Sequence, residues 1–493
     1  MIAVKPDYHE LKIQQNELAD LYKNIGWGVI ASLLQNFLYS IFFIIIARQY
    51  DTKDFANYII SNNLYGFVLT FSSLGLGQWF LREIQHAENK NNVVYKFLKS
   101  QILIGVGFYF INLVLCSLIY NNEILLIISI ILGINIILDN ITSVFKFINI
   151  DAGKQNKTFI YLSIESILKF LLGILVIQYK FNILLLCTFI VLIKLFSVVL
   201  FFKYGLYCRL YLSDIIKLDL NVGELKRLIQ KNISFAIIAG ISVLFWSLGN
   251  IIVSKFLTTN DIANYDIVFK IFVMAQIIPV IFSATVFPKL VSAVNKDLDE
   301  LKKLIGKYYY LYLIYGITAY VFVYSYADIF IPMLFGSKYL SAVSYCKEMF
   351  LTMIVFPIVL LQANIMIAIK KEKIDMWMNL VVLAINILIC LTGVLFIKNL
   401  TIINYSIFTS FIIFMLMQDT YLTMMKIQEL NQIMKKYAVV ITLLTLTSLP
   451  LIYINAIWTF PVYLVVIGII LSSQHRNIIQ YNRIELKADK ISN

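Results

Sequence analysis

Apolar residues come in runs of about 20, separated by short polar punctuation, from residue 24 to residue 473. A run of that length crosses ~30 Å of hydrocarbon as a helix rising 1.5 Å per residue. The pattern predicts spans near 24–48, 57–81, 97–120, 123–145, 157–178 and 181–203, then 231–256, 262–288, 307–326, 341–369, 374–397 and 401–424. A final pair near 435–454 and 457–473 brings the expected number to fourteen. The fold class read from this is an all-α polytopic membrane protein.

The punctuation repeats. Thr52-Lys53-Asp54-Phe55-Ala56-Asn57-Tyr58 returns as Thr259-Asn260-Asp261-Ile262-Ala263-Asn264-Tyr265, 207 residues later, with five of seven positions identical. Each copy follows an apolar run opened by Asn-Ile, at Asn24-Ile25 and Asn232-Ile233, and the run after each ends in a base, Arg82 and Lys289, again 207 apart. Matching marks at one offset are what an internal duplication leaves behind. The expected organisation is a leader at 1–23, a six-helix lobe at 24–203, a linker at 204–230, a second six-helix lobe at 231–424 and a terminal pair with its tail at 425–493. Thr52 and Thr259 read as helix N-caps, with Asp54 and Asp261 in the first turn.

Composition agrees with the pattern: 60% of residues are hydrophobic, 14% are charged and mean hydropathy is +0.82. The net charge of +13 does not indicate nucleic acid, because the bases sit in short loops and form no continuous stripe. Sorted by alternate loops, 31 of the 41 Lys and Arg residues fall on one side and 6 on the other. Basic loops stay in the cytoplasm, so both termini are expected there, with both heptapeptides outside. Polar residues precede the first run and no small-residue cleavage site follows it, so no cleavable signal is read. Cys116, Cys187, Cys208, Cys346 and Cys390 show no paired framework, and His9, His86 and His475 lie outside the spans. No Walker-type loop or HExxH spacing occurs, and no cofactor is expected.

Four lysines remain inside spans: Lys169, Lys194, Lys270 and Lys347. Each costs at least ~2.5 kcal/mol to insert, so each needs a partner or a purpose. Glu165 stands four residues before Lys169, the order in which the two pair on one helix face. Lys194 is ~13 Å from its span's cytoplasmic end at helical rise, far for snorkelling. Lys347, nearer an end and followed by Glu348, reads as a snorkelling lysine. Lys270 follows Asp266 by one turn, and its counterpart at the 207-residue offset is Asn63. Asp139 in the fourth span and Asn250 in the seventh add further interior polar groups. These positions predict a polar cavity shared by the lobes, with Arg82 and Lys289 at its cytoplasmic entrance, in a secondary transporter.

Ala47-Arg48, then Lys53 to Tyr58, then Ser73-Leu74-Gly75-Leu76-Gly77-Gln78 running into Leu81-Arg82-Glu83, resembles the polysaccharide exporters, and among them the O-antigen flippases. Ala263-Asn264-Tyr265 and Phe287-Pro288-Lys289 look like that family's second copy of the pattern. The resemblance implies a multidrug-exporter-like V shape of two bundles in the inner membrane. It further implies movement of an undecaprenyl-diphosphate-linked oligosaccharide to the outer leaflet, with that lipid-linked oligosaccharide, membrane lipid and other polysaccharide-assembly membrane proteins as partners. The sequence departs from the family in two places. Asn250 stands where the family usually has an acid, and interior lysines replace arginines, attracting a diphosphate as point charges without bidentate geometry. The alternatives are a cation-coupled drug or small-solute exporter of the same fold, and an O-antigen polymerase, for which no sizeable external loop is available.

Overall fold

A computed structural model describes residues 8–206, 222–428, 438, 456–465 and 467–468. The described residues form helices without a strand: α1 Tyr8–Gln49, α2 Thr52–Ser72, α3 Leu76–His86, α4 Lys90–Ile119, α5 Glu123–Asp151, α6 Gln155–Tyr179 and α7 Ile183–Leu200. Then follow α8 Val222–Phe256, α9 Thr259–Lys296, α10 Leu298–Phe335, α11 Ala342–Ala368, α12 Glu372–Ile397 and α13 Leu400–Met424. Ten helices among the described residues are long and apolar enough to cross a membrane. The expected span at 231–256 falls on α8, whereas 435–454 and most of 457–473 lie outside the described residues.

The span expected at 57–81 is two helices. Leu74 and Gly75 adopt left-handed backbone, at φ 47° and 64°, which ends α2 and starts α3 in a new direction. The local cause is in the hydroxyls. Thr70, Ser72 and Ser73 donate back to the carbonyls of Gly66, Leu69 and Thr70 at 3.0, 2.7 and 3.2 Å, a competition that bends helices. Gln101 of α4 then donates to the carbonyl of Ser73 at 3.1 Å, which also accepts from the Leu76 amide at 3.0 Å, and so ties the break to the neighbouring helix.

Both helix caps fall one residue earlier than expected. Asp51, not Thr52, caps α2 by accepting from the Asp54 amide at 2.7 Å. At α9 the cap is Thr258, whose hydroxyl oxygen accepts from the Asp261 amide at 3.3 Å while the Asp261 carboxylate accepts from the Thr258 hydroxyl at 2.7 Å. A side chain before the first helical residue reaches the amide three positions on; one inside the first turn does not.

The chain divides into two compact units, Met1–Ile267 with Ile387–Leu400, and Val268–Asn386 with Thr401–Asn493. The first unit therefore extends past the lobe boundary expected at 204–230, because α8 packs against α2. Within it α1 lies on α6, and α5 is the central helix, packed on α2, α4 and α7. Polar seams tie these contacts: Ser72 to Asn140 at 2.9 Å, Asn140 to the Gln101 carbonyl at 3.3 Å and Asn149 to the Gly205 carbonyl at 2.9 Å. Without a hydrophobic force between helices in lipid, close packing and such bonds hold the bundle. In the second unit α10 packs along α11. Gly316 makes that approach possible, since a Cβ there would meet the Met353 carbonyl oxygen, and the Ile354 Cα at 3.1 Å. Outward faces carry large apolar side chains, among them Phe110, Leu118 and Phe396, as a lipid-facing surface requires.

Candidate functional site

Three helices of the first unit bring four charges together. Asp139 comes from the middle of α5, Glu165 and Lys169 from α6, and Lys194 from α7. Lys169 Nζ bonds Glu165 Oε1 at 2.7 Å, the i, i+4 pair expected from the sequence. Lys194 does not stand alone: its ammonium bridges Asp139 Oδ1 at 2.5 Å and Glu165 Oε2 at 3.1 Å. Tyr65 of α2 donates its hydroxyl to Asp139 Oδ2, so both oxygens of each carboxylate are occupied. Gln35 of α1 closes the α6 side by donating to Ser163 Oγ at 3.2 Å.

Two acids and two lysines leave these four side chains neutral in sum. Lys194 and Glu165 are the deepest, with side chains 8% and 9% exposed, where an uncompensated charge would be strongly destabilising. Lys169 is the most open at 21% and keeps donor capacity beyond Glu165, since an ammonium carries three hydrogens. Glu165 is held by both lysines, so Lys169, the more open of the two, can turn toward an entering anion while Lys194 keeps Glu165 paired.

Near the heptapeptides, between the middle of α2, the ends of α4 and α8 and the start of α9, is a second polar seam. Asn63 donates to Asp266 Oδ1 at 3.0 Å, Tyr120 and Ser254 share a hydroxyl hydrogen bond, and Lys255 donates to the Ile119 carbonyl. Asn63 and Asn250 face a small cavity with Tyr120 and Ser254. The seam thus gathers Asn63, Asp266 and Asn250, three of the polar positions singled out in the sequence, and pins α8 to the end of α4 and the start of α9 to α2.

The second unit holds Lys270, half-buried on α9, and Lys289, exposed near the end of the same helix; Arg82 is likewise exposed, on α3 of the first unit. Lys347 is not simply a snorkelling lysine. It pairs with Asp328 of α10 at 2.5 Å and lies over the Tyr324 ring. Glu348, its sequence neighbour, instead accepts from Thr401 at 3.0 Å and Asn404 at 3.1 Å. Two acid-amide contacts escaped the sequence reading, Gln362 to Asp419 and Gln418 to Asp375 at 2.7 Å. An acid near each helix end gave no signal that an amide on another helix would receive it.

No curated protein matches the chain by sequence. Among solved structures, the lipid II flippase MurJ in an inward closed conformation superposes with a TM-score of 0.73 at 15% identity, over 92% of this chain and 100% of that one. An inward-facing multidrug resistance MATE family transporter of the MOP superfamily gives 0.63 at 12%, over 80% of this chain and 96% of that one. Its outward-facing counterpart gives 0.54 at 13%, over 82% and 95%. At these identities the likeness is one of fold. The family model described as "Polysaccharide biosynthesis protein" matches residues 45–344, from the end of α1 through the start of α11, and so takes in both heptapeptides and the whole charge cluster. With a match over more than half its length and the fold of the MOP superfamily transporters, this multi-pass membrane protein belongs to the polysaccharide biosynthesis protein family.

Proposed function

We propose that the protein is a flippase that moves an undecaprenyl-diphosphate-linked oligosaccharide, an O-antigen or related surface-polysaccharide repeat unit, from the cytoplasmic to the periplasmic leaflet of the inner membrane by alternating access. The observation that carries this reading is the lysine-carboxylate cluster of Asp139, Glu165, Lys169 and Lys194 in a chain of a polysaccharide biosynthesis family. A diphosphate with a sugar headgroup cannot cross hydrocarbon alone, and intramembrane cations that can change partners lower that barrier. Arg82 and Lys289 meet the diphosphate at the cytoplasmic side, and Lys270 receives it deeper. The seam of Asn63, Asp266, Tyr120, Ser254 and Lys255 holds the outer side shut until the substrate is loaded. Both termini are cytoplasmic, and the two lobes at 24–203 and 231–424 are the moving bodies. The protein transports and does not catalyse bond chemistry.

A strain lacking its own flippase tests this through surface display. Since attraction at a distance depends mainly on charge, Lys270→Arg keeps display of the polysaccharide, while Lys270→Ala loses most of it with normal amounts of protein in the membrane. Full display by Lys270→Ala would remove Lys270 from the path. Failure of the unaltered protein to restore display, with its own glycan supplied, would count against the flippase reading itself.

A further inference from the structure

The sequence places Lys146 just past the end of a span, among the bases that anchor a cytoplasmic loop. The helix does not stop there: α5 runs unbroken to Asp151, and Lys146 stands on it seven residues after Asp139. Seven residues are two turns, about 10 Å along the axis and on nearly the same face. Helical side chains lean toward the N-terminus of their helix, so Lys146 leans along α5 toward Asp139 and away from the α5 C-terminus. Its electrostatic surroundings agree, since Lys194, Asp139 and Glu165 all act on it.

What Lys146 lacks is a carboxylate of its own. Asp139 is taken by Lys194 and Tyr65, and Glu165 by Lys169 and Lys194. Among the described residues Lys146 makes no hydrogen bond and no ion pair, although it is half-buried. Together with the four charges of the cluster it leaves one positive charge in surplus, with a like-charged ammonium, Lys194, as a neighbour. An ammonium kept in a helix bundle without a counter-ion is expensive unless a ligand supplies one.

We propose that Lys146 is an anion-binding residue that takes a phosphate oxygen of a diphosphate lipid, with the neighbouring cluster supplying Lys169 as a second donor once the anion draws it from Glu165. This rests on the flippase reading for the identity of the lipid. The chemistry is that of a phosphate ester, which a bulk anionic phospholipid also carries, but the diphosphate's greater charge is the better match to a surplus cation beside a cluster that can release another.

Binding of farnesyl diphosphate to the purified full chain in nanodiscs tests it, by tryptophan fluorescence, with phosphatidylglycerol content varied as a second arm. Replacing a charge-assisted bond predicts a loss of about tenfold in affinity for Lys146→Met. Lys146→Arg stays close to the unaltered protein, and Lys154→Met, a change at an exposed loop lysine, has no effect. Should Lys146→Met fail to elute as a single species, Lys146→Gln is read in its place. Unchanged affinity in the neutral variant overturns the inference. So does equal competition by phosphatidylglycerol, which would make this a general lipid-headgroup site. Absence of binding by the unaltered protein overturns it together with the diphosphate reading, whereas binding that survives the loss of Lys146 sinks the inference alone.

Discussion

Asp51 and Thr258, 207 residues apart, cap their helices in the same way: each accepts a hydrogen bond from the amide of an aspartate three residues on, Asp54 or Asp261. The likeness continues into the heptapeptides. Ala56 and Ala263, Asn57 and Asn264, and Tyr58 and Tyr265 are all buried, none more than 4% exposed. One offset therefore relates sequence identity, cap geometry and burial, which is a stronger mark of duplication than the identities alone. Loss of either cap is expected to destabilise by about 1 kcal/mol. Thermal unfolding in detergent should show that shift for Asp51→Ala and Thr258→Ala, and little for Thr52→Ala and Thr259→Ala.

Pro279 sits at the same offset from Ser72, beside the break that ends α2. A proline removes the amide that would bond the carbonyl four residues back, and Tyr315 of α10 donates its hydroxyl to that carbonyl, at Ala275. At the break in the first copy, Gln101 of α4 braces the Ser73 carbonyl, which also accepts from the Leu76 amide. Both devices leave the backbone bonded while making the helix easy to bend. Tyr315→Phe and Gln101→Leu are expected to slow transport more than they lower the melting temperature; equal damage to both properties would make the bonds purely structural.

The charge cluster behaves as a unit. Lys194→Met leaves Asp139 without a cation in the bundle, while Glu165 keeps Lys169, and is expected to destabilise by about 3–5 kcal/mol, enough to reduce the amount of folded protein. Adding Asp139→Asn removes the stranded charge, so the double variant is expected to regain much of the lost stability. Quantifying folded protein by fluorescence-detected size exclusion checks this, and additive losses in the double variant would show that the two residues are not energetically coupled.

How much of this was legible in the sequence depends on range. Hydrophobic runs, the repeat and the Glu165–Lys169 pair are local, and periodicity reports them. The break at Ser73 to Gly75 has a signal in Ser72, Ser73, Gly75 and Gly77, outweighed by the apolar Phe71, Leu74, Leu76, Trp79 and Phe80 that carry the run across it, and the left-handed backbone at Leu74 has no signature in a side chain that any helix accepts. Tyr65 on Asp139, Asp328 on Lys347 and Gln362 on Asp419 join residues 19 to 74 positions apart. Only packing of particular helices brings them together. The sequence showed that Lys194 needed a partner; it could not say that the partner would be two acids at once.

The seam near the heptapeptides is expected to part during transport. Tyr120, at the end of α4, and Ser254 of α8 share a hydrogen bond through the length of the tyrosine side chain, so thiols placed there lie within reach of a short bifunctional thiol reagent. Tyr120→Cys with Ser254→Cys should transport before treatment with a bis-methanethiosulfonate and stop after it, with recovery on adding a reductant. Unimpeded transport by the cross-linked form would show that this seam does not open.

The most direct measurement is a headgroup-resolved flipping assay with the purified protein in sealed vesicles, using undecaprenyl-diphosphate-linked oligosaccharide and a lectin or glycosidase that reaches only one leaflet. The prediction is protein-dependent transfer of the glycan between leaflets, mostly lost in Lys270→Ala and retained by Lys270→Arg. Vesicles in which the glycan stays in its original leaflet, while a cationic drug is moved by the same protein, would contradict the account.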